Sequence, residues 1–325
     1  MKKRWAWILG GLLAVLVLFI IAVILYIRLA LPNIPLQKVS VQSTPERLER
    51  GRHLANHVTV CMDCHSTRDW DRFSGPPVPN TTGIGGEVFD ERMGFPGAFT
   101  SPNISPFHLS GWTDAEIYRA ITSGETKDGR ALFPIMPYMA YGMLDNEDIF
   151  SIIAYIRSIP PVHNITKPAN PSFPMNLVLR TFPKAASPVQ RPPESDTLRY
   201  GEYLVRAAAC IECHTAARHG QIVRSLAFSG GREFIMPTGV LTSPNITPDQ
   251  ETGTGRMSSS DFIRRFKAYD PSTYNAPKLG PKEMPTIMSW TMYAGMSPSD
   301  LHAIYTYLHS LPPKQNVVVR WKPLQ

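Results

Sequence analysis

All four cysteines of the chain fall in two copies of one pattern, Cys61-Met62-Asp63-Cys64-His65 and Cys210-Ile211-Glu212-Cys213-His214. C-x-x-C-H is the covalent attachment signature of a c-type haem: two thiols add to the vinyl groups and the adjoining imidazole is carried beneath the iron. Other chemistries of paired cysteines fit less well. A thioredoxin-like redox motif requires a βαβ context that this sequence lacks, and a zinc site would draw its ligands from motifs 149 residues apart. The spacing therefore predicts two covalently attached haem c groups, held through Cys61, Cys64, Cys210 and Cys213, with His65 and His214 as proximal iron ligands.

The sixth ligand separates an electron carrier from an enzyme, because methionine opposite histidine raises the reduction potential and leaves no open position. Met136 lies in Phe133-Pro134-Ile135-Met136-Pro137-Tyr138, a proline-stiffened loop just before the last helix of the first half. Met93, Met139 and Met143 compete with it. Met288 occupies the matching position in the second half, with Met284-Pro285 as its competitor. His53, His57, His108 and His219 are alternative donors, but none recurs at corresponding positions in both halves. Met136 and Met288 are the predicted distal ligands.

The elements that position these residues form an internal repeat. Met136 and Met288, Tyr155 and Tyr307, and Pro160 and Pro312 are each 152 residues apart. Thr100-Ser101-Pro102-Asn103-Ile104-Ser105 returns as Thr242-Ser243-Pro244-Asn245-Ile246-Thr247. Gly51 and Cys61 correspond to Gly201 and Cys210 with a one-residue difference in spacing. Thr44-Pro45 predicts a capped helix running to the first cysteine pair, Thr113-Asp114-Ala115-Glu116 a capping box, and Asp145 and Ser297-Pro298 the starts of the two last helices. Pro-Pro pairs end both. Asn103 and Asn245 are expected to donate hydrogen bonds to haem propionates. Gly83-Ile84-Gly85-Gly86 lacks the strand-turn-helix context of a phosphate loop.

At the amino terminus, Lys2, Lys3 and Arg4 precede an uncharged run from Trp5 to Tyr26, long enough to cross a bilayer as a helix. Its length and the want of a small-x-small site after Tyr26 favour an uncleaved anchor over a signal peptide. The basic cluster marks the cytoplasmic end. The expected setting is a bacterial cytoplasmic membrane crossed once, with the amino terminus inside and the haem domains in the periplasm. The division is 1–43 as cytoplasmic tip, anchor and tether, 44–162 as one haem domain, 163–195 as a proline-rich linker, and 196–325 as a second haem domain. Phe173, Pro174, Met175, Leu177 and Leu179 suggest that part of the linker packs across the halves.

The run from Phe99 to Pro161 carries Ser101-Pro102-Asn103-Ile104, Gly111-Trp112-Thr113, Asp128-Gly129-Arg130, Met136-Pro137-Tyr138 and Ala154-Tyr155-Ile156-Arg157. It resembles one domain of the cytochrome subunit of membrane-bound alcohol, aldehyde and gluconate dehydrogenases. Thr242 to Asp249 and Thr252-Gly253-Thr254-Gly255 extend the likeness over nearly all of residues 44 to 318. The resemblance implies an all-α fold of tandem class I cytochrome c domains, in which Gly51 and Gly201 let the first helix cross against Tyr155 and Tyr307 of the last. It also implies electrons received from a dehydrogenase and passed towards the respiratory chain. Such subunits usually carry three haem domains, whereas this sequence has two attachment motifs, and Met257 and Met288-Ser289-Trp290 replace Trp112 and Met-Pro-Tyr.

The first half has 10 basic and 15 acidic residues from Thr44 to Val162, the second 14 basic and 10 acidic from Asp196 to Gln325. Faces of opposite sign would steer partners of opposite charge. The overall +7 is thus no sign of a nucleic-acid partner. Predicted partners are the membrane and redox proteins: a dehydrogenase or quinol-oxidising complex on one side, a terminal oxidase or soluble cytochrome on the other. No small-molecule substrate and no catalytic residue are predicted. The competing class is a two-haem peroxidase, which would need one open iron.

Overall fold

The computed structural model describes residues 2–218 and 220–324; His219, one of the alternative donors named above, lies outside the described residues, as do Met1 and Gln325. Helix α1 (Lys2–Ala30) contains a span with mean hydropathy 3.3, none of it buried. Among the described residues it alone is long and apolar enough to cross a membrane. The segment after it does not hang as a free tether. Ile34 N donates to Glu125 Oε2 at 2.8 Å, Val41 N donates to Asp114 Oδ2 at 2.9 Å, and Val39 and Val41 pack on the core.

In the first half, α2 (Pro45–His53) is capped by Thr44 and continues as a π-helical turn over Leu54–Val58 before α3 (Cys61–Cys64). Next come β1 (Val88–Phe89), β2 (Gly97–Thr100), α4 (Pro106–Leu109), α5 (Asp114–Ser123), α6 (Tyr138–Tyr141) and α7 (Asn146–Ser158). The linker contributes β3 (Asn170–Pro171) and α8 (Met175–Val178). The second half runs α9 (Thr197–Ala207), α10 (Cys210–Cys213), β4 (Ala217–Arg218), β5 (Gln221–Ile222), β6 (Glu233–Met236), β7 (Gly239–Thr242), α11 (Ser259–Lys267), α12 (Trp290–Tyr293), α13 (Pro298–Ser310) and β8 (Trp321–Pro323). The π turn accounts for the one-residue difference in spacing, since i→i+5 bonding absorbs one extra residue without unwinding the helix. The capping box expected at Thr113 forms with Glu116, and further boxes join Ser258 with Asp261 and Ser297 with Asp300.

The all-α expectation needs one correction. Among the described residues, eight short strands make three antiparallel sheets, ordered β1-β2-β3, β4-β5 and β6-β7-β8. In each half the chain leaving the last helix pairs with the strand that leads into Ser-Pro-Asn-Ile, Gly97 opposite Pro171 and Gly239 opposite Pro323. Strands of two to four residues are too short to leave a period-two signal in sequence.

Gly51 and Gly201 are the crossing points, as the repeat predicts. A Cβ at Gly51 would lie 1.8 Å from Ser151 O and 2.9 Å from Tyr155 Cβ; at Gly201 it would meet Ala303 O at 1.9 Å and Tyr307 Cβ at 3.0 Å. The two halves then share one apolar cluster, containing Leu54, Val58, Ile149 and Ile153 from the first and Tyr200, Leu204, Leu301 and Ile304 from the second. Their seam is reciprocal. Tyr203 Oη donates to Asp148 Oδ2 at 2.7 Å, while His53 Nε2 lies 3.0 Å from Asp300 Oδ2. His53 and Tyr203 stand two residues after their glycines; Arg50 and Tyr200, one residue before them, hold the aspartate of their own half at 2.9 and 3.0 Å. The linker is laid along the first half, where Arg191 Nη1 donates to Asp148 Oδ1 at 2.6 Å and Leu179 is buried. Phe173, placed across the halves by sequence, is instead 79% exposed.

Replacing Gly201 with Ala forces α9 off α13, and the expected cost is about 3 kcal/mol, read as a lowered denaturant midpoint of the solubilised full chain. A second outcome concerns acid. Burial pushes the Asp300 carboxyl up, but hydrogen bonds from His53 and Ser297 outweigh it and hold the group at about 2. A depressed folded value stabilises above the ordinary carboxylate range and is lost as pH falls through about 2, a contribution of about 2 kcal/mol. Asp300→Asn should flatten the stability profile in that window; an unchanged acid limb would refute the assignment.

Candidate functional site

Each cysteine pair is presented by a turn the chain reaches through a left-handed residue, Val60 at φ 45° and Ala209 at φ 50°. The reversal ends the incoming helix and starts a single turn, α3 or α10, whose i and i+3 cysteines share one face. His65 and His214 follow directly. Their Nδ1 atoms lie 2.8 Å from Pro102 O and 3.0 Å from Pro244 O. A carbonyl only accepts, so Nδ1 carries the proton and the Nε2 lone pair is left for a metal. Burial pushes both rings below the ordinary imidazole range against the opposing effect of that hydrogen bond, and they are neutral.

The proline carbonyls are brought this close by glycines that sequence reasoning passed over. Gly85 and Gly230, at φ 69° and 75°, donate backbone N–H groups to His65 O and His214 O at 3.0 and 2.8 Å. A Cβ on either would lie 2.5 Å from the peptide after Pro102 or Pro244. The available signal was a Gly-Gly pair between the attachment motif and Ser-Pro-Asn-Ile in both halves.

The thiols are free, three of them half-buried and that of Cys213 exposed; the protein around them pushes those of Cys64 and Cys210 up to about 12, and those of Cys61 and Cys213 upward as well. Distal candidates separate by burial. Met136 and Met288 pack against the core, whereas Met139 and Met143 are exposed. Met284, on the loop leading to Met288, and Met93, in a 3-10 turn, are not part of that packing. The histidine alternatives are engaged elsewhere: His53 with Asp300, His57 through Nδ1 to Met292 O at 2.9 Å, and His108 against the Trp112 ring. Two thiols, a neutral imidazole and a thioether in each half make up a donor set that fits a covalently held haem.

Asn103 and Asn245 do something other than expected. Both amides are buried, and the Asn103 NH2 group donates to Val162 O and Asn164 O, that of Asn245 to Lys314 O and Thr252 Oγ1. Their carbonyl oxygens accept from the backbone and hydroxyl of Ser105 and Thr247. They staple the proximal loop to the chain after the last helix and have no donor left for a propionate.

Two tyrosines escaped the sequence reading. Tyr141 Oη donates to Thr59 O at 2.9 Å and Tyr293 Oη to Ala208 O at 3.3 Å, each carbonyl two residues before the first cysteine of its half. The rings are 152 residues apart. Burial, then the neighbouring cysteines of the same half, push both phenols far above their ordinary value, and Tyr293 also feels Tyr141 and Asp63.

Residues 198–312 match the cytochrome c family, so the chain carries a cytochrome c domain, a class that binds haem c covalently. Its relatives extend the match over most of the chain. It is 27% identical over 291 residues to the gluconate 2-dehydrogenase cytochrome c subunit of Pantoea cypripedii, covering 84% of this chain and 61% of that protein. It is 30% identical over 287 residues to the cytochrome c subunit of the quinone-dependent alcohol dehydrogenase of Gluconacetobacter polyoxogenes, covering 82% and 56%. A diheme cytochrome c-type protein of Cereibacter sphaeroides is 31% identical over 199 residues, covering 58% and 63%. The chain spans a little over half the length of these relatives. The likeness to cytochrome c subunits of dehydrogenases agrees with the resemblance carried by the motifs.

Asn245→Ala should cost about 3 kcal/mol, because buried acceptors and the Thr247 N–H lose their partners. Asn245→Asp should not restore stability, since a carboxylate has no N–H for Lys314 O. Equal stability of wild type and both variants in denaturant would contradict the staple.

Proposed function

We propose that this chain is a membrane-anchored two-haem c-type cytochrome with tandem class I domains, 44–162 and 196–325, that relays electrons in a bacterial respiratory chain. The observation that carries the reading is the duplication of a whole donor set: Cys61, Cys64, His65 and Met136 in one half, Cys210, Cys213, His214 and Met288 in the other, each with a tyrosine, Tyr141 or Tyr293, bonded to the carbonyl two residues before its first cysteine. Haem c, when bound, supplies a one-electron couple, poised high by a histidine and methionine pair. The work of the chain's own residues is to hold. The cysteines would hold the haem covalently, the Pro102 and Pro244 carbonyls orient the histidines, and the thioethers of Met136 and Met288 would complete the ligand set and exclude small molecules. Nothing in this arrangement calls for a proton to move, which suits a carrier with no substrate chemistry.

In this reading α1 is an uncleaved anchor with its basic end in the cytoplasm and both domains in the periplasm. Arg180 of the linker donates to the Ile27 and Arg28 carbonyls at 3.0 Å, tying the globular part to the end of the apolar helix. The donor is a dehydrogenase or a quinol-oxidising complex and the acceptor a terminal oxidase or soluble cytochrome. Support comes from relatives named as cytochrome c subunits of gluconate and quinone-dependent alcohol dehydrogenases.

Haem quantification of the membrane-purified chain should give two covalent haems, and Cys61→Ser/Cys64→Ser should retain only one. Met136→Ala and Met288→Ala should each abolish the methionine-to-iron charge-transfer band of one haem and lower that haem's potential. A wild-type chain in which one haem lacks the band and turns over peroxide would instead be the peroxidase.

A further inference from the structure

Met288 sits in a loop with a different chemistry from its counterpart. In the first half, Met136 precedes Pro137, whose ring fixes the backbone, and the loop's backbone bonds stay local: Met136 N to Phe133 O and Tyr138 N to Met136 O. In the second half Ser289 stands where Pro137 does, so that constraint is gone. What replaces it comes from the other half of the molecule.

The chain after His65 crosses over. Phe73 N donates to Pro277 O at 2.9 Å, Leu279 N to Asp71 O at 2.8 Å and Arg72 Nη1 to Ala276 O at 2.7 Å, while the Phe73 ring stacks on Tyr269. At the tip is Ser74, a buried non-glycine residue at φ 69°. A left-handed serine is uncommon and persists where its surroundings demand it. Its Oγ donates to Met288 O at 2.6 Å and accepts from Trp290 N at 3.1 Å. The residue between them is held as well: Ser289 Oγ donates to Asp63 Oδ2 at 2.6 Å. Asp63 lies inside the first attachment motif, and Arg68 braces its carboxylate at 2.8 Å with both side chains buried. Three consecutive residues, 288 to 290, are thus each gripped by the first half. The brace runs one way, for Glu212, the counterpart of Asp63, is exposed.

We propose that the first half builds the distal wall of the second site: Ser74 and Asp63 are positioning residues that hold Met288 over the second iron, doing there what Pro137 does for Met136. This rests on the two-haem reading. Thioether ligation at the second site then depends on the first attachment turn and its loop being in place, and the two sites are not independent modules.

The test uses the full chain in detergent with both haems attached. Ser74→Ala/Ser289→Ala should keep two haems but lose the methionine-to-iron band of one, lower that haem's potential, and let it bind carbon monoxide, matching the spectrum of Met288→Ala. Adding Met288→Ala to the double variant should change nothing further, and Ser74→Ala/Ser289→Thr, which restores one hydroxyl, should regain band intensity. Should the double variant fail to mature, Ser289→Ala alone is read in the same way. Unchanged bands and potentials, or a further loss when Met288 is also removed, would overturn the proposal. A wild-type chain with a single haem, or with no methionine band, would overturn the two-haem reading itself.

Discussion

The contact that the rest of the structure depends on is the crossing of one short helix over another at a residue without a side chain. Where Gly51 of α2 meets α7, and again where Gly201 of α9 meets α13, the backbones approach so closely that a methyl group would fall within 2 Å of a carbonyl oxygen. Three functional consequences follow from one approach. The crossing sets where the first helix ends, and therefore where the left-handed residue and the cysteine turn begin. It sets the last helix, and so the loop carrying Met136 or Met288 just ahead of it. It also carries the residues flanking each glycine up to the third position of a last helix, where Asp148 and Asp300 collect partners from both halves.

Those aspartates explain how a duplicated fold becomes one body. At equivalent positions the first half uses Arg50 and His53, the second Tyr200 and Tyr203; the geometry is kept while the chemistry is exchanged. The Arg50, Asp148 and Arg191 cluster is mostly buried, and ion pairs in that setting gain little net stability because desolvation offsets attraction. Their contribution is to register. Apolar packing alone would tolerate a small slide of one half on the other, whereas a buried carboxylate with four oriented donors does not.

The parts of this molecule legible in sequence are those whose physics is local. The proline-capped helix at Thr44, the box at Thr113, the helix start at Ser297 and the glycine crossings all lie within a few residues or recur in the repeat, and each is found where expected. The π turn was visible only as an unexplained extra residue. Illegible features depend on partners far along the chain. Asn103 carries the right groups for a propionate, but its donors are consumed by carbonyls about 60 residues away in a segment with no secondary structure of its own to predict. Ser74 is an ordinary serine in a polar loop until the other half supplies Met288 O. The strands failed for a related reason, being pairings of two to four residues, two of them fixed by the return of the chain after each last helix.

A relay and an enzyme ask opposite things of a scaffold, and the pattern of immobilised segments here favours the first. Catalysis commonly needs an element that opens to admit substrate and closes to exclude water. Here the segments best placed to move are fastened instead. The proline-rich linker is tied by Ser187 N to Gly142 O and by Arg191 to Asp145 and Asp148. The stretch after α1 is bonded to Asp114 and Glu125, and the loop over the second site is gripped from the first half. Tunnelling between fixed centres gains from constant separation and loses from motion, and long-range bonds of this kind hold three segments still: the linker, the stretch after α1 and the loop carrying Met288.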